Sequence, residues 1–376
     1  MSQNLRTDDA LPARSSLSYI RAISAYQPGK PITELAREMG LPIESIVKLA
    51  SNENPLGMSP KAKEAAISAL AGGERYPDQF ELTATLAARH GVAAGQVVLG
   101  NGSNDALDLI ARVFLDSGRS AVYSQYAFAV YPIATLSVGG ENIVVPAKDF
   151  GHDLDAMLTA IRPDTHVVWI ANPNNPTGTL LPAQTLRDFL AKVPPHVIVV
   201  LDEAYSEYLA PEDRYDAIAW VREFPNLVVL RTFSKIYGMA GLRIGYGIAA
   251  APVADFINRV RQPFNCNNLA LAAAAAALSD HEFVQQSYEL NRQGMAQIID
   301  WFARKGLEYI PSHGNFITFK AGKDKEITAA VNQKLLRQGV IVRPLVGYAM
   351  PEWLRVTIGT AKENERFLAA LETALQ

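Results

Sequence analysis

The chain has one cysteine, Cys266, in 376 residues. That excludes an internal disulfide framework and fits a reducing compartment. Its context, Phe264-Asn265-Cys266-Asn267, offers no cysteine or histidine for a metal, so Cys266 reads as a small packing residue. There is no excess of one charge either: 35 Lys and Arg against 38 Asp and Glu leave a formal net charge of −3. Such a balance selects neither nucleic acid nor an anionic membrane as partner. No window approaches 18 uninterrupted apolar residues, so no transmembrane helix is expected. The opening MSQNLRTDDALPARSSLSYI lacks an apolar core of signal-peptide length. Arg6, Arg14 and Arg21 among serines imitate a transit peptide, but Asp8 and Asp9 argue against one. The expected compartment is cytoplasmic. There is no internal repeat and no Gly-x-x-x-x-Gly-Lys-Ser/Thr loop, which argues against an ATP-driven enzyme.

What is present is globular: 49% hydrophobic and 19% charged residues. A chain this long buries most of the surface its unfolded form exposes, and at roughly 150 residues per domain it suggests two domains. From about residue 60 to 260, apolar β-branched runs alternate with helical spacing. The runs are Val97-Val98-Leu99, Ala121-Val122-Tyr123, Ile143-Val144-Val145, His166 to Ile170, Val197 to Leu201 and Leu227 to Leu230. Asn104 to Leu115, Leu154 to Ile161, Ala183 to Lys192 and Pro252 to Val260 have helical spacing. This alternation predicts an α/β fold with a mostly parallel, doubly wound sheet covered on both faces. Residues 269 to about 305 read as helical almost throughout, with the all-alanine run Ala272 to Ala277 closely packed and Gly306 as a stop. Short strands around 307–310, 316–319, 340–342 and 354–358 then interleave with helices near 325–338 and 361–375. That pattern predicts a smaller α+β C-terminal domain. The expected divisions are 1–50, a segment packing on the small domain or a dimer partner; 51–270, the large domain; and 271–376, the long connecting helix with the small domain.

Four motifs carry chemistry. Phe233-Ser234-Lys235-Ile236-Tyr237-Gly238 follows the run Leu227 to Leu230. An ammonium beside a buried strand needs a partner or must lose its charge; a lysine held as a Schiff base solves that and creates an electrophile. Ser234 and Arg243 supply a hydroxyl and a guanidinium suited to phosphate. Alone, a Ser-Lys pair on a loop is a solvated surface feature. Val200-Leu201-Asp202-Glu203-Ala204-Tyr205 places Asp202 at the C-terminal end of an apolar strand, where open α/β sheets bind ligands. A carboxylate there can keep a cationic ring nitrogen protonated, and Tyr205 can donate to a phenolate oxygen of the same ring. The blander reading is that Asp202 caps a helix. Ala171-Asn172-Pro173-Asn174-Asn175-Pro176-Thr177-Gly178 fixes a turn that aims the Asn175 amide into the cleft, or is only a tight loop. Leu99-Gly100-Asn101-Gly102-Ser103-Asn104-Asp105 is a glycine-rich turn opening a helix, an anion site by its free N–H groups. It lacks the third glycine of a dinucleotide fingerprint. Gly245-Tyr246-Gly247-Ile248-Ala249-Ala250 matches that fingerprint weakly and reads as a strand, which disfavours a nucleotide-dependent dehydrogenase.

Together these residues resemble fold-type I pyridoxal-phosphate aminotransferases, and within them the histidinol-phosphate aminotransferase family. The resemblance runs from about Tyr26 to the C-terminus. It is carried by Tyr26-Gln27-Pro28-Gly29-Lys30-Pro31, Leu49-Ala50-Ser51-Asn52-Glu53-Asn54-Pro55, Arg75-Tyr76-Pro77-Asp78, Gly100-Asn101-Gly102-Ser103-Asn104, Asn174-Asn175-Pro176-Thr177-Gly178, Asp202-Glu203-Ala204-Tyr205 and Ser234-Lys235. It implies pyridoxal 5'-phosphate held by Lys235, which also shuttles the proton, with Asp202 on the pyridine nitrogen and Asn175 and Tyr205 on the ring oxygen. Gly102, Ser103, Asn104, Ser234 and Arg243 would form the phosphate site, and Tyr126 would stack on the ring. Tyr76 would reach the cofactor phosphate of a neighbouring subunit, making the unit a homodimer with shared active sites. Arg355 would clamp the substrate anion, helped by Tyr26 and Arg343. Two positions depart from the family pattern. Asn104 stands where an acid is common. Phe264 stands where tyrosine is common, which removes one hydroxyl that could reach a substrate phosphate.

The implied reaction is amino transfer from a small-molecule donor, histidinol phosphate, to a 2-oxo acid, 2-oxoglutarate, in histidine synthesis. The alternatives on the same machinery are an aromatic amino acid aminotransferase and a threonine-phosphate decarboxylase. A regulatory protein with an aminotransferase-like domain is the non-enzyme alternative. The short N-terminal stretch leaves no room for a basic helix-turn-helix, and the complete set Lys235, Asp202, Asn175 and Arg355 argues for turnover.

Overall fold

The computed structural model describes residues 15–376; the arginine and aspartate pattern over residues 6–14 lies outside the described residues. Numbered along the chain, the strands are β1 (Val47–Lys48), β2 (Val97–Gly100), β3 (Ser120–Ser124), β4 (Glu141–Val145), β5 (Thr165–Ala171), β6 (Ile198–Asp202), β7 (Leu227–Thr232), β8 (Gly245–Ala249), β9 (Tyr309–Ile310), β10 (Phe316–Lys320), β11 (Val340–Ile341), β12 (Arg343–Pro344) and β13 (Trp353–Thr357).

Seven strands form the main sheet in the order β2-β8-β7-β6-β5-β3-β4. Alternate residues face opposite ways along a strand, and both sets are apolar. Leu99, Val122, Val168, Ile170, Val199, Leu201 and Val229 join one core. Val98, Ala121, Val167, Trp169, Val200, Val228 and Leu230 join the other. A sheet buried on both faces needs helices on both, which is the α/β reading. Only β8 runs against its neighbours β2 and β7. The C-terminal ends of the other six therefore share one edge. The reversed β8 begins at that edge, with Gly245 opposite both Gly100 and Thr232, so Arg243 arrives beside the ends of β2 and β7.

The smaller C-terminal domain has the antiparallel sheet β12-β13-β10-β9, packed through Ile317, Phe319, Leu354 and Val356 on Phe302, Leu335 and Phe367. β1 pairs in parallel with β11. The helix Ile32–Met39 buries Leu35 with Ile46, Leu336 and Ile341. The stretch 269–305, read from sequence as helical almost throughout, is two helices, Asn268–Ala277 and His281–Lys305. Asp280 ends the continuity: its carboxylate caps Phe283 N at 3.4 Å and accepts from Ser59 Oγ at 2.5 Å. The alanine run does pack closely, with Ala270, Ala273, Ala274 and Ala277 buried against the helix Pro60–Ala69. Gly306 ends the long helix at φ 67°, a left-handed cap that glycine adopts without strain.

Candidate active site

A cleft of about 290 Å³ opens where the common strand edge meets the small domain. Tyr26, Ser103, Asn104, Asn175, Asp202, Tyr205, Ser234, Lys235, Arg243, Arg343 and Arg355 all line it. These come from nearly the whole length of the chain, and the topology explains their meeting. Asp202 ends β6, Lys235 lies just past β7, Asn175 lies past β5 and Ser103 past β2, all at one edge. Arg355 lies on β13 and is the cross-strand partner of Arg343 on β12.

Asp202 is 5% exposed. Its Oδ2 accepts from Tyr131 Oη at 3.1 Å, and its Oδ1 has no partner among the described residues. Burial raises the carboxyl to about 6, against the Tyr131 hydroxyl, the Ala204 backbone amide and the Lys235 charge, which favour ionisation. The side chain therefore caps no helix; it presents an unsatisfied acceptor to the cleft. Lys235 Nζ donates to Ser51 O at 3.3 Å and sits 5.7 Å above the Tyr205 ring centroid. Burial, reinforced by the Arg355 charge, lowers it to about 8. A fraction of its amine is thus neutral and nucleophilic near pH 7. Tyr205 Oη accepts from Asn52 Nδ2 at 2.9 Å, and burial holds the phenol at about 12, so it stays protonated.

The turn after β2 is shaped by glycine. Gly102 caps the helix Ser103–Phe114 at φ 85° with no side-chain cap. A Cβ there would run into the Arg243 guanidinium, and one on Gly245 would lie 2.6 Å from Ser103 N. Arg243 Nη1 donates to Ser234 Oγ at 3.4 Å. A helix N-terminus, a hydroxyl and a guanidinium converge here, with the first-turn Asp105 carboxylate accepting from Asn101 N and Asn265 Nδ2. On the opposite wall Arg355 donates through Nη1 to Asn175 Oδ1 and through Nη2 to Ala50 O at 3.1 Å, over the Phe316 ring at 5.2 Å. Its Nε is buried without a partner among the described residues. Arg343 stacks on Tyr26 at 5.2 Å.

Tyr126 and Tyr76 are absent from the lining of this cleft, and for Tyr76 the resemblance implies a place in the neighbouring subunit's site. Tyr126 does not line the cleft. Its ring is 6.0 Å from Phe150 and packs beside Ile310, Met350 and Trp353, and its carbonyl accepts from Asn174 Nδ2 at 2.8 Å. The bend after β3 turns Tyr126 toward the small domain and puts Phe128, two residues on, into the cleft. Tyr76 is 79% exposed, stacked on Phe264 at 4.5 Å, and does not line the cleft of its own chain. Sequence reasoning assigned no role to Asn52, Tyr131 or Tyr348. Asn52 stood in a quoted motif, whereas Tyr131 carries no local signal. No cluster of metal-ligating side chains occurs among the described residues. None of the described helices is long and apolar enough to cross a membrane.

The model of the family "Aminotransferase class I and II" matches residues 44–371. The chain belongs to that family. Among curated proteins, this aminotransferase is 68% identical over 363 residues to "Histidinol-phosphate aminotransferase 1" of Dechloromonas aromatica, covering 96% of this chain and 99% of that one. It is 60% identical over 361 residues to "Histidinol-phosphate aminotransferase 2" of Nitrosospira multiformis, covering 96% and 91%. Among solved structures it is similar to histidinol-phosphate aminotransferase from Sinorhizobium meliloti in complex with pyridoxal-5'-phosphate, with a TM-score of 0.86, 28% identity and coverage of 96% and 99%. The Thermus thermophilus aspartate aminotransferase, at a TM-score of 0.82 and 24% identity, shares the fold.

The cofactor of this fold type is pyridoxal 5'-phosphate, and the cleft fits it. The orphaned Asp202 Oδ1 matches a protonated ring nitrogen. The helix start at Ser103, the Ser234 hydroxyl and the Arg243 guanidinium, brought close together because Gly102 and Gly245 carry no Cβ, match a phosphate. Lys235 supplies a primary amine to the same cleft.

Proposed function

We propose that this aminotransferase moves the amino group of histidinol phosphate to 2-oxoglutarate, in histidine synthesis. The observation that carries the substrate class is the paired guanidiniums of Arg343 and Arg355, cross-strand partners in the same cleft as Lys235. They provide two positive charges for an anionic tail. The names of relatives at 58–68% identity support the choice within that class. A panel of histidinol phosphate, phenylalanine, tyrosine and threonine phosphate, each with 2-oxoglutarate, tests it. A site that hydrogen-bonds a required group discriminates by roughly 10⁴-fold or more, whereas apolar fit alone gives about 10–200-fold. Histidinol phosphate turning over no better than phenylalanine would sink the assignment.

When bound, the cofactor supplies an electron sink for a negative charge developing at the substrate α-carbon. Ser103, Asn104, Ser234 and Arg243 hold its phosphate. Asp202 Oδ1 keeps the ring nitrogen protonated, which makes that sink effective. Asn175 and Tyr205 would orient the ring through its oxygen, and Phe128 lines the same cleft. Lys235 Nζ anchors the resting cofactor. The same Nζ would act as general base, taking the substrate α-proton and returning it. Arg355, with Arg343 and Tyr26, fixes the substrate anion so that the α-hydrogen faces Lys235. Residues 51–270 would form the cofactor domain and 271–376 the connecting helix with the small domain.

The functional unit we assign is a homodimer, in the cytoplasm, where a free thiol such as Cys266 stays reduced. Tyr76 and Phe264 stack on each other and are exposed, as are Ile67, Leu70 and Phe80 in the same stretch of chain, apolar side chains of the kind that seat a second copy. Mixing Lys235→Ala with Tyr76→Ala after joint unfolding should restore about a quarter of wild-type activity, because half the dimers then hold one complete site of two. No recovery above the separate variants would refute shared sites.

A further inference from the structure

Three consecutive residues hold three side chains of the cleft. Ala50 O accepts from Arg355 Nη2 at 3.1 Å, Ser51 O accepts from Lys235 Nζ at 3.3 Å, and Asn52 Nδ2 donates to Tyr205 Oη at 2.9 Å. The first two contacts use carbonyls, which any residue supplies. The third requires the asparagine side chain.

Asn52 is 1% exposed and stands at φ 55°, a left-handed backbone that Asn, Asp and Gly accept more readily than other residues. Its remaining polar atoms are tied to the small domain. Its backbone N–H donates to Thr357 Oγ1 at 2.9 Å, its Oδ1 accepts from that hydroxyl at 3.2 Å, and its carbonyl accepts from Asn315 Nδ2 at 3.0 Å. Thr357 Oγ1 already receives the Asn52 N–H, so its own proton goes to Oδ1. That fixes the amide with its NH₂ toward Tyr205. Tyr205 Oη is therefore an acceptor toward Asn52. Its own proton has no acceptor among the described residues and is left for the cleft.

We propose that Asn52 is a positioning residue: by donating to Tyr205 Oη it directs the phenol proton toward the ring oxygen of the bound cofactor. This rests on the reading of Tyr205 as a cofactor contact. The network also links that proton to β13, where Thr357 and the substrate-binding Arg355 are two residues apart and project on the same face. Asn52 thus holds the cofactor's hydrogen-bond donor in register with the strand that receives the substrate.

Two substitutions separate the side chain from the backbone. Asn52→Asp keeps the shape and accepts the left-handed φ, but offers Tyr205 an acceptor and draws the phenol proton out of the cleft. Asn52→Gly keeps the backbone and removes the amide. A hydrogen bond to the ring oxygen favours its ionised form. The pH midpoint of the visible absorption change of the pyridoxal-phosphate-loaded protein should therefore rise by about one to two pH units in Asn52→Asp, where that charge-assisted hydrogen bond is lost, and by less in Asn52→Gly, where the phenol proton is no longer directed but is not drawn away. If Asn52 acts through Tyr205, Asn52→Asp adds no further shift in a Tyr205→Phe background. Should the aspartate variant fail to fold, Asn52→Gly alone and combined with Tyr205→Phe gives the same comparison. Unshifted variants, or a shift that persists undiminished without the Tyr205 hydroxyl, would overturn the proposal while leaving the cofactor reading intact. A wild-type protein that develops no visible band would overturn both.

Discussion

Asp202 offers a test that begins without the cofactor. Burial raises its carboxyl from 3.8 to about 6. Between those values the native protein binds more protons than the unfolded chain. For an acid whose folded pKa is raised, stability falls as pH rises through that window, and the whole penalty is present above the folded value. At 1.36 kcal/mol per pH unit, a shift of this size is worth about 3 kcal/mol near pH 7. Asp202→Asn keeps the size and the acceptor for Tyr131 Oη but does not titrate. In chemical denaturation of cofactor-free protein, the variant should therefore gain on wild type by about 2 kcal/mol between pH 4 and pH 7. Loading the cofactor should reverse the order. The carboxylate then meets a cationic ring nitrogen, a charge-assisted bond of about 1.5–3 kcal/mol, and its loss should weaken cofactor binding roughly 10–150-fold. A difference between variant and wild type that stays flat with pH in the cofactor-free protein would refute a carboxyl whose ionisation is opposed by burial.

Lys235, lowered to about 8 by burial and the Arg355 charge, should be roughly one-tenth neutral near pH 7, where an ordinary lysine is below one part in a thousand. Capture of pyridoxal 5'-phosphate by cofactor-free protein, followed by stopped-flow absorbance, should speed up with pH and level off above about 8; a rate still climbing tenfold per unit through pH 10 would contradict this. Lys235→Ala should form no such linkage and lose at least about 10²–10⁴-fold in turnover, measured with the best amino donor. Gly102→Ala strains a φ of 85° and drives a methyl into Arg243, whereas a Cβ on nearby Gly241 meets nothing within 4 Å. Equilibrium dialysis should show cofactor affinity falling at least about tenfold, as expected for losing a bond to phosphate, in the first variant and unchanged in a Gly241→Ala control. Arg231→Met strands the buried Glu203 carboxylate, now paired at 2.9 Å, and should cost about 3–5 kcal/mol in denaturation.

Much of the fold was legible because burial on both faces leaves a local trace. A run such as Val167-Val168-Trp169-Ile170 has no polar residue to alternate with, and the strand could only be covered on two sides. The break between residues 277 and 281 was not legible. Asp280 reads as one more polar residue in a helical stretch until Ser59, 221 positions away, bonds it. Tyr126 and Phe128 show the same limit at shorter range. Both are aromatic and follow one strand, and the direction of the bend decides which faces the cleft.

The site divides along a similar line. Lys235, Asp202 and Arg355 stand out in sequence because a charge beside an apolar strand is costly to bury and needs a reason to be there. Their supports are neutral groups that cost little in isolation. Tyr131 is an aromatic in a helix, and Asn52 a polar residue in a turn. Each acquires its role only from a partner 71 or 153 positions away, Asp202 in one case and Tyr205 in the other. That difference follows from the physics of burial. A charge declares its environment locally, whereas a neutral amide or phenol becomes specific only when folding brings its counterpart within 3 Å or so. The segment 50–52 is the clearest instance. It contributes two carbonyls and one amide to three side chains that no local pattern connects to it, and only the closed chain makes it the bracket of the cleft.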